Sequence, residues 1–263
     1  MNENIKTVIL CGGMGTRLKK ETEVRPKPML EIGNRPILWH IMKIYSYYSF
    51  NDFVLCLGYK GHIIKSYFLN YEFLQNDFTI HLNSSEKPQI HSHSQEQWRI
   101  TLAETGLKTG TAGRIKKIKK YVEDTFFVTY GDGVADVNIK DLLEFHKSHG
   151  KIATVTAVHP PSRFGLLEID GGKVKRFKKH LATKEGWIDG GFFVFNKDLF
   201  KYLEDIEDGD MLEGKPLEWL AQDEELMAYK HEGYWKCMDT YRDMKELNED
   251  ISRGNAKWMV WEK

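Results

Sequence analysis

The stretch VILCGGMGTRLKK, residues 8–20, decides the fold. An apolar, β-branched run from Ile5 to Leu10 stops at three glycines, Gly12, Gly13 and Gly15, and continues at once into Thr16 and Arg17. Such a run reads as a buried strand. Glycines at its end let backbone N–H groups approach an anion, and a helix N-terminus behind them adds a favourable dipole. Thr16 can donate a hydrogen bond to phosphate, and Arg17 can grip one with its planar fork. The plain alternative is a strand-to-helix glycine turn. A Walker loop is excluded because the Lys-Ser/Thr ending is missing. The dinucleotide fingerprint fails too, because Thr16-Arg17 stands where its helix would begin.

Outward from this loop the chain alternates. PILWHIMKIYSYY from Pro36 repeats apolar residues at helical spacing, and DFVLCLG (52–58) is a second strand. GHIIKSYFLNYEFL reads as a second helix, FTIHL (Phe78–Leu82) as a third strand, and Asn83 to Gln97 as a polar loop or short excursion. WRITLAE, TFFVTYGDG and KIATVTAV read as further strands. Between them lie the basic helix RIKKIKKYV and the helix NIKDLLEFHKSHG, with Asn138 as its N-cap candidate. The expected fold is α/β, a mostly parallel Rossmann-like sheet flanked by helices, with ligands outside the carboxyl ends of the strands. Beyond Pro160 a hairpin turning at Asp170–Gly172, a strand WIDGGFFVFN, two helices, a strand LMAYKHEG and a last helix read as a small β-rich elaboration packed on that sheet. One domain over 1–263 is expected, with a nucleotide-binding part (1–158) and a sugar-binding, C-terminal part (159–263).

The 263 residues suit a single large α/β domain, and Lys plus Arg balance Asp plus Glu at 38 each. That balance argues against bulk attraction to nucleic acid or an anionic membrane. Three scattered cysteines, Cys11, Cys56 and Cys237, show no metal-ligand spacing and read as reduced thiols. The opening MNENIKTVIL has no signal-peptide character, so a cytoplasmic location is expected.

Four more places carry candidate chemistry. In RPKPML the prolines fix the backbone around Lys27, which suits either a phosphate-directed cation or a rigid surface turn. In TYGDGVAD, Asp132 stands between two glycines at a strand tip, where it can hold Mg²⁺ or simply form a turn. Asp239, in YWKCMDTYRD, read by itself is the N-cap of the last helix. TGLKTGTAGRIKK offers a second glycine-threonine loop ending in Arg114 and a basic face. His91 and His93 lack a third ligand and read as decoration of a polar loop.

Together, GGMGTRL and RPKPMLEIGNRPIL resemble the signature of the sugar-1-phosphate nucleotidyltransferases. PILWHIMKIYS, GYKGHIIKSYF, TAGRIKKI, YGDGVAD, IDGGFFVFN and GYWKCMDTYRD are similar to its glucose-1-phosphate cytidylyltransferase branch over nearly the whole chain. The resemblance implies the nucleotide-diphospho-sugar transferase type of fold. It also implies a Mg²⁺-dependent reaction of CTP with a sugar 1-phosphate, and a homo-oligomer. By motif, Leu10, Gly12, Gly13, Gly15, Thr16, Arg17 and Lys27 would bind the nucleotide, with Arg17 and Lys27 catalytic. Thr111, Gly113 and Arg114 would lie near its base and phosphates, and Asp132 and Asp239 would hold the metal. Tyr130, Gly131, Glu168, His180, Asp189 and Gly190 would line the sugar pocket. One departure bears on the acceptor. The family's EKP is replaced here by Lys179-His180-Leu181, and Asp189 stands where an asparagine is common. Lys178, Lys179 or Lys184 could supply the missing cation; otherwise CTP reacts with a different phosphorylated acceptor. A reading of another class is a non-catalytic nucleotide-binding paralogue, against which Arg17, Lys27, Asp132 and Asp239 all speak.

Overall fold

The computed structural model describes residues 5–83, 85–93, 96–159, 166–170, 173–178 and 186–262. Seven strands form its central sheet: β1 (Lys6–Leu10), β2 (Asp52–Leu57), β3 (Arg99–Glu104), β4 (Thr125–Tyr130), β5 (Ala153–Val158), β6 (Ile188–Asn196) and β7 (Leu226–His231). Their spatial order is β7-β5-β6-β4-β1-β2-β3. Only β6 runs antiparallel to its neighbours; every other pairing is parallel.

A parallel sheet covered on both faces needs strands that are apolar on both sides. Alternate residues therefore enter different cores. Ile9, Phe53, Leu55, Phe127, Phe192 and Val194 pack into one, while Val8, Val54, Phe126, Val128, Phe193 and Phe195 pack into the other. The first core is covered by α1 (Ile37–Tyr47), α4 (Ile139–His149) and α6 (Tyr241–Ser252). The second lies under α3 (Thr111–Lys117) and α5 (Lys215–Gln222), which follow α2 (Gly61–Leu69) and α4 in the chain, respectively. Asn138 caps α4, accepting from the N–H groups of Lys140 and Asp141. The chain returns at its end to bury Trp258, whose indole donates to His40 Nδ1 at 3.3 Å.

Some local expectations change. Phe78–Leu82 is not a sheet strand: only Phe78–Thr79 is extended, paired with Gln89–Ile90 away from the main sheet. Its alternate residues Phe78, Ile80 and Leu82 are apolar but exposed, so periodicity alone misleads there. The expected second helix is interrupted at Asn70, with a short helix Tyr71–Gln75 beyond it. The residues after 158 do more than pack on the sheet, because β6 and β7 are two of its strands. The hairpin is a separate pair, Leu166–Asp170 with Lys173–Lys178. Among the described residues no helix is long and apolar enough to cross a membrane.

Candidate active site

The loops following β1 and β4 open into one cleft of about 580 Å³ at the carboxyl ends of the strands. On its floor three charged side chains from distant parts of the chain meet. Lys27 sits on a single 3-10 turn bracketed by Pro26 and Pro28, and donates to Asp132 Oδ2 at 2.5 Å and Asp239 Oδ1 at 2.7 Å. Arg17 donates to Asp239 Oδ2 at 2.8 Å. The two acids are drawn together by an antiparallel pair, Gly133–Ala135 with Trp235–Cys237, and by the Met238 N–H donating to the Asp132 carbonyl. The Lys27 side chain is 13% exposed, that of Arg17 70%. Burial would pull the Lys27 ammonium down, but Asp132 and Asp239 outweigh it and hold its pKa above the ordinary lysine value. Burial likewise pushes Asp239 up, and the hydrogen bonds and charges of Lys27 and Arg17 reverse it, leaving the carboxyl below its usual range.

Asp239 is not the N-cap that its position suggests. The hydroxyl of Thr240 accepts from the Asp243 N–H, and the Asp243 carboxylate accepts from the N–H groups of Thr240 and Asp239. With this capping box in place, the Asp239 carboxylate is left to face Lys27.

The three opening glycines serve different ends. A methyl group on Gly12 would stand 2.0 Å from Arg114 Nη1, so that position is glycine because a guanidinium packs on it. Gly15 has φ +62°, a left-handed conformation that favours glycine. Gly13 has no heavy atom within 4 Å of where its Cβ would be. Of the three, only Gly13 has open space where a side chain would stand.

Arg114 borders the cleft, and its guanidinium is also bound to protein. Its guanidinium donates to the carbonyls of Leu57, Gly106 and Gly12 at 2.9–3.0 Å and to Thr105 Oγ1 at 2.6 Å, and the residue is 3% exposed. It acts as a strut under the glycine loop, with Nη1 and Nη2 both directed at protein. Gly113 does not line the cleft: a methyl group there would meet the Asp208 carbonyl at 2.5 Å. Leu10, Gly12, Gly13, Gly15, Thr16, Arg17, Lys27, Thr111, Tyr130, Gly131, Asp132 and Asp239 do border the cleft, as does part of Arg114.

Asp189 and Gly190 line a smaller neighbouring cavity of about 40 Å³, which shares Tyr130, Asp132 and Trp235 with the cleft. Burial pushes the Asp189 carboxyl up to about 6, partly offset by the Gly191 N–H that it accepts at 2.7 Å, with the nearby Glu213 charge acting in the same upward direction as burial. Glu168 pairs with Arg176 across the separate hairpin, and its side chain lies outside the described part of the structure. His180 lies outside the described residues, as does Lys179.

Some cleft residues carry no motif or no assigned role. Met211 and Glu213 border the cleft from outside every quoted motif, and Trp235, within GYWKCMDTYRD, borders it without being singled out there. Glu213 accepts from the hydroxyls of Thr111, at 2.8 Å, and Tyr130. The usable signal lay in Gly110 and Gly113, since paired glycines on a helix start announce a close neighbour. They do not say which segment it is.

The fold and this cleft define a class, which comparison with known proteins confirms. The pattern of the nucleotidyl transferase family matches residues 6–254, and the chain belongs to that family. It is 47% identical over 260 residues to the glucose-1-phosphate cytidylyltransferase of Salmonella typhi, covering 98% of this chain and 100% of the relative. The enzyme of the same name from Salmonella typhimurium matches equally, at 47% over 98% and 100%. In shape, the chain resembles a UDP-glucose pyrophosphorylase solved with UDP-glucose, with a TM-score of 0.69, 14% identity and coverage of 95% and 99%. At that identity the likeness speaks for the fold alone.

Two outcomes are expected from this geometry. Gly12→Ala forces a methyl group into the Arg114 guanidinium and should destabilise the fold by about 1–3 kcal/mol, whereas Gly13→Ala should leave the melting temperature nearly unchanged and weaken nucleotide binding. Thermal melts of both variants decide; equal losses of stability would contradict the division of roles. Second, a carboxyl whose folded pKa is raised stabilises the native state at low pH and loses that contribution as pH rises through the folded value. Melting temperature measured from pH 4 to 7 should therefore fall less steeply in Asp189→Asn than in the parent, and parallel profiles would contradict the assignment.

Proposed function

We propose that the protein is a cytidylyltransferase that joins CTP and α-D-glucose 1-phosphate to give CDP-glucose and pyrophosphate. The observation that carries this reading is the Lys27–Asp132–Asp239 cluster on the floor of a glycine-edged cleft. It occurs in a chain 47% identical, end to end, to an enzyme with that name. In the reaction a phosphate oxygen of glucose 1-phosphate forms a bond to the α-phosphorus of CTP, and the bond from that phosphorus to the bridging oxygen breaks as pyrophosphate leaves. Such a transfer asks the protein for positioning and for charge aimed at the phosphates.

The residues divide that work. Gly13, with open space where a side chain would stand, admits the phosphates to the backbone. Thr16 and the exposed Arg17 reach the triphosphate from the same loop. Lys27, already oriented by two carboxylates, directs its ammonium at the charge that builds on the transferring phosphate. Asp189 and Gly190 lie on the acceptor side, where Asp189 offers a hydroxyl-binding carboxyl in place of the commoner asparagine. The work divides roughly by part of the chain: 1–158 would supply the glycine loop, Lys27 and one of the two acids for the nucleotide, and 159–263 the other acid and most of the sugar side.

The family generally uses a divalent metal. Asp132 and Asp239 fit one here, since two hard oxygen donors already converge on a single positive charge. Among the described residues there is no group of three or more metal-binding side chains, so substrate phosphates and water would complete the shell. We take the ion to be Mg²⁺, and when bound it neutralises phosphate charge. Three free thiols suit a reducing, cytoplasmic setting. Exposed Leu69, Leu74, Phe78, Ile80 and Leu82 give a homo-oligomer a surface on which to form.

Pyrophosphate release with Mg²⁺ tests the proposal, crossing CTP, UTP, dTTP and ATP with a panel of phosphorylated acceptors. Fast release is expected with CTP and glucose 1-phosphate. Release only with another acceptor would move the account to the segment around His180, and binding without turnover would favour the non-catalytic paralogue. Lys27→Ala is expected to lower kcat by about 10²-fold or more; a loss of only a few-fold would remove the lysine from the chemistry.

A further inference from the structure

The segment Asp208–Glu213 is seated on the start of α3 by an unusual number of constraints. The N–H groups of Gly110 and Ala112 donate to the carbonyls of Asp208 and Asp210 at 2.7 and 3.2 Å. Methyl groups at Gly110 or Gly113 would collide with the carbonyls of Asp210 and Asp208, at 2.2 and 2.5 Å. Lys117 pairs with Asp208 at 2.6 Å, and Lys116 donates to the carbonyls of Glu204 and Ile206. The Leu212 N–H donates to Thr111 Oγ1 at 2.6 Å. The glycines and lysines of TGTAGRIKK are thus spent on holding this segment, and what the segment delivers to the cleft is Glu213.

Asp132 and Asp239 have Lys27 and Arg17 beside them, but a carboxylate elsewhere in a cleft for a triphosphate is repelled by the phosphates and suits a neutral part of the ligand that donates hydrogen. Glu213 borders the large cleft and not the small cavity beside Asp189. Tyr130, which borders both, stands between them and donates to Glu213 Oε1. That places the carboxylate on the nucleotide side. Its two oxygens each accept one protein hydroxyl, from Tyr130 and Thr111, which fixes the carboxylate plane and leaves further lone pairs for a ligand. The cleft it borders also includes the neutral residues Leu10, Gly110, Thr111 and Met211, while the Asp189 carboxyl lies near enough to feel its charge.

Resting on the cytidylyltransferase reading, we propose that Glu213 reads the nucleobase: its carboxylate accepts a hydrogen bond from the 4-amino group of cytosine and so selects CTP over UTP. Cytosine presents a donor at that position, and uracil an acceptor that would face the carboxylate lone pairs. Carboxylates are the fitting partners for the cytosine amine, and a well-placed contact discriminates by about 10- to 100-fold. Thr111 and Tyr130 act as positioning residues for the carboxylate.

Glu213→Gln tests this on the full chain, because the amide keeps the shape and adds a donor that suits uracil. Dissociation constants for CTP and UTP with Mg²⁺ are measured by calorimetry, alongside the KM for glucose 1-phosphate. The parent is expected to prefer CTP, and the variant to lose about 10-fold or more of that preference, with the KM for glucose 1-phosphate within about two-fold of the parent's. An unchanged CTP-to-UTP ratio in a folded variant overturns the proposal, and a raised KM beside that unchanged ratio would make Glu213 an acceptor-hydroxyl ligand instead. Should Glu213→Gln not fold, Glu213→Asp withdraws the carboxylate from the base and is expected to lower the preference as well; an undiminished ratio there overturns it equally. The parent alone judges the broader reading: a parent that binds CTP no better than UTP refutes the proposal about Glu213, while failure to release pyrophosphate from CTP and glucose 1-phosphate refutes the proposed activity whatever the binding ratio.

Discussion

One ammonium group between two carboxylates organises this protein. Lys27 is nearly closed off from solvent and bonds Asp132 and Asp239, which lie over a hundred positions further along the chain. Removing charges from water is costly unless they are paired, and here Lys27 and Arg17 balance the two acids. The balance depends on Arg17, the one member largely in solvent and the easiest to draw away. A triphosphate that attracts Arg17 and Lys27 leaves the two acids short of positive charge. On the proposed reading, the cluster would accept a divalent ion only together with a nucleotide.

The rest of the structure can be read as support for that meeting. The tips of β1 and β4 are adjacent in the sheet, with the Gly131 N–H donating to the Leu10 carbonyl, so the glycine loop and Asp132 are neighbours by topology. The pair Gly133–Ala135 with Trp235–Cys237 then carries the second acid to the first. Arg114, under the glycine loop, ties the ends of β2 and β3 to Gly12. The cleft is completed from the opposite direction, by a segment after β6 that docks on α3 and brings in Glu213.

Much of this was legible in the residues, for identifiable reasons. Strands buried on both faces announce themselves as unbroken apolar runs, which is why β1, β2 and β4 were read directly from the chain. Lys27 and Asp132 stand in rigid, glycine- or proline-bounded turns, so their exposure to a ligand could be inferred. Asp239 could not be placed by local rules, since Thr240 and Asp243 compete for the same cap and win it. Arg114 and Gly12 explain one another, but only in three dimensions: a motif that looks built for phosphate is partly built for packing. Glu213 was invisible, because nothing near it in the sequence signals a cleft and its partners lie about a hundred residues away. Phe78–Leu82 fails in the opposite direction: its apolar residues suggest a strand of the main sheet, but only Phe78–Thr79 is extended, and it pairs in a separate two-stranded sheet.

The central claim is that Asp132 and Asp239 form one cation seat that is completed by nucleotide. Electron paramagnetic resonance of Mn²⁺, a spectroscopic stand-in for Mg²⁺, measures it directly. The expected result is one tightly held ion in the presence of CTP, much weaker binding without CTP, and a loss of about 10-fold or more in affinity in either Asp132→Asn or Asp239→Asn, by analogy with lost metal-site groups. Affinity that is unchanged in both variants, or equally tight in the absence of nucleotide, would contradict the account.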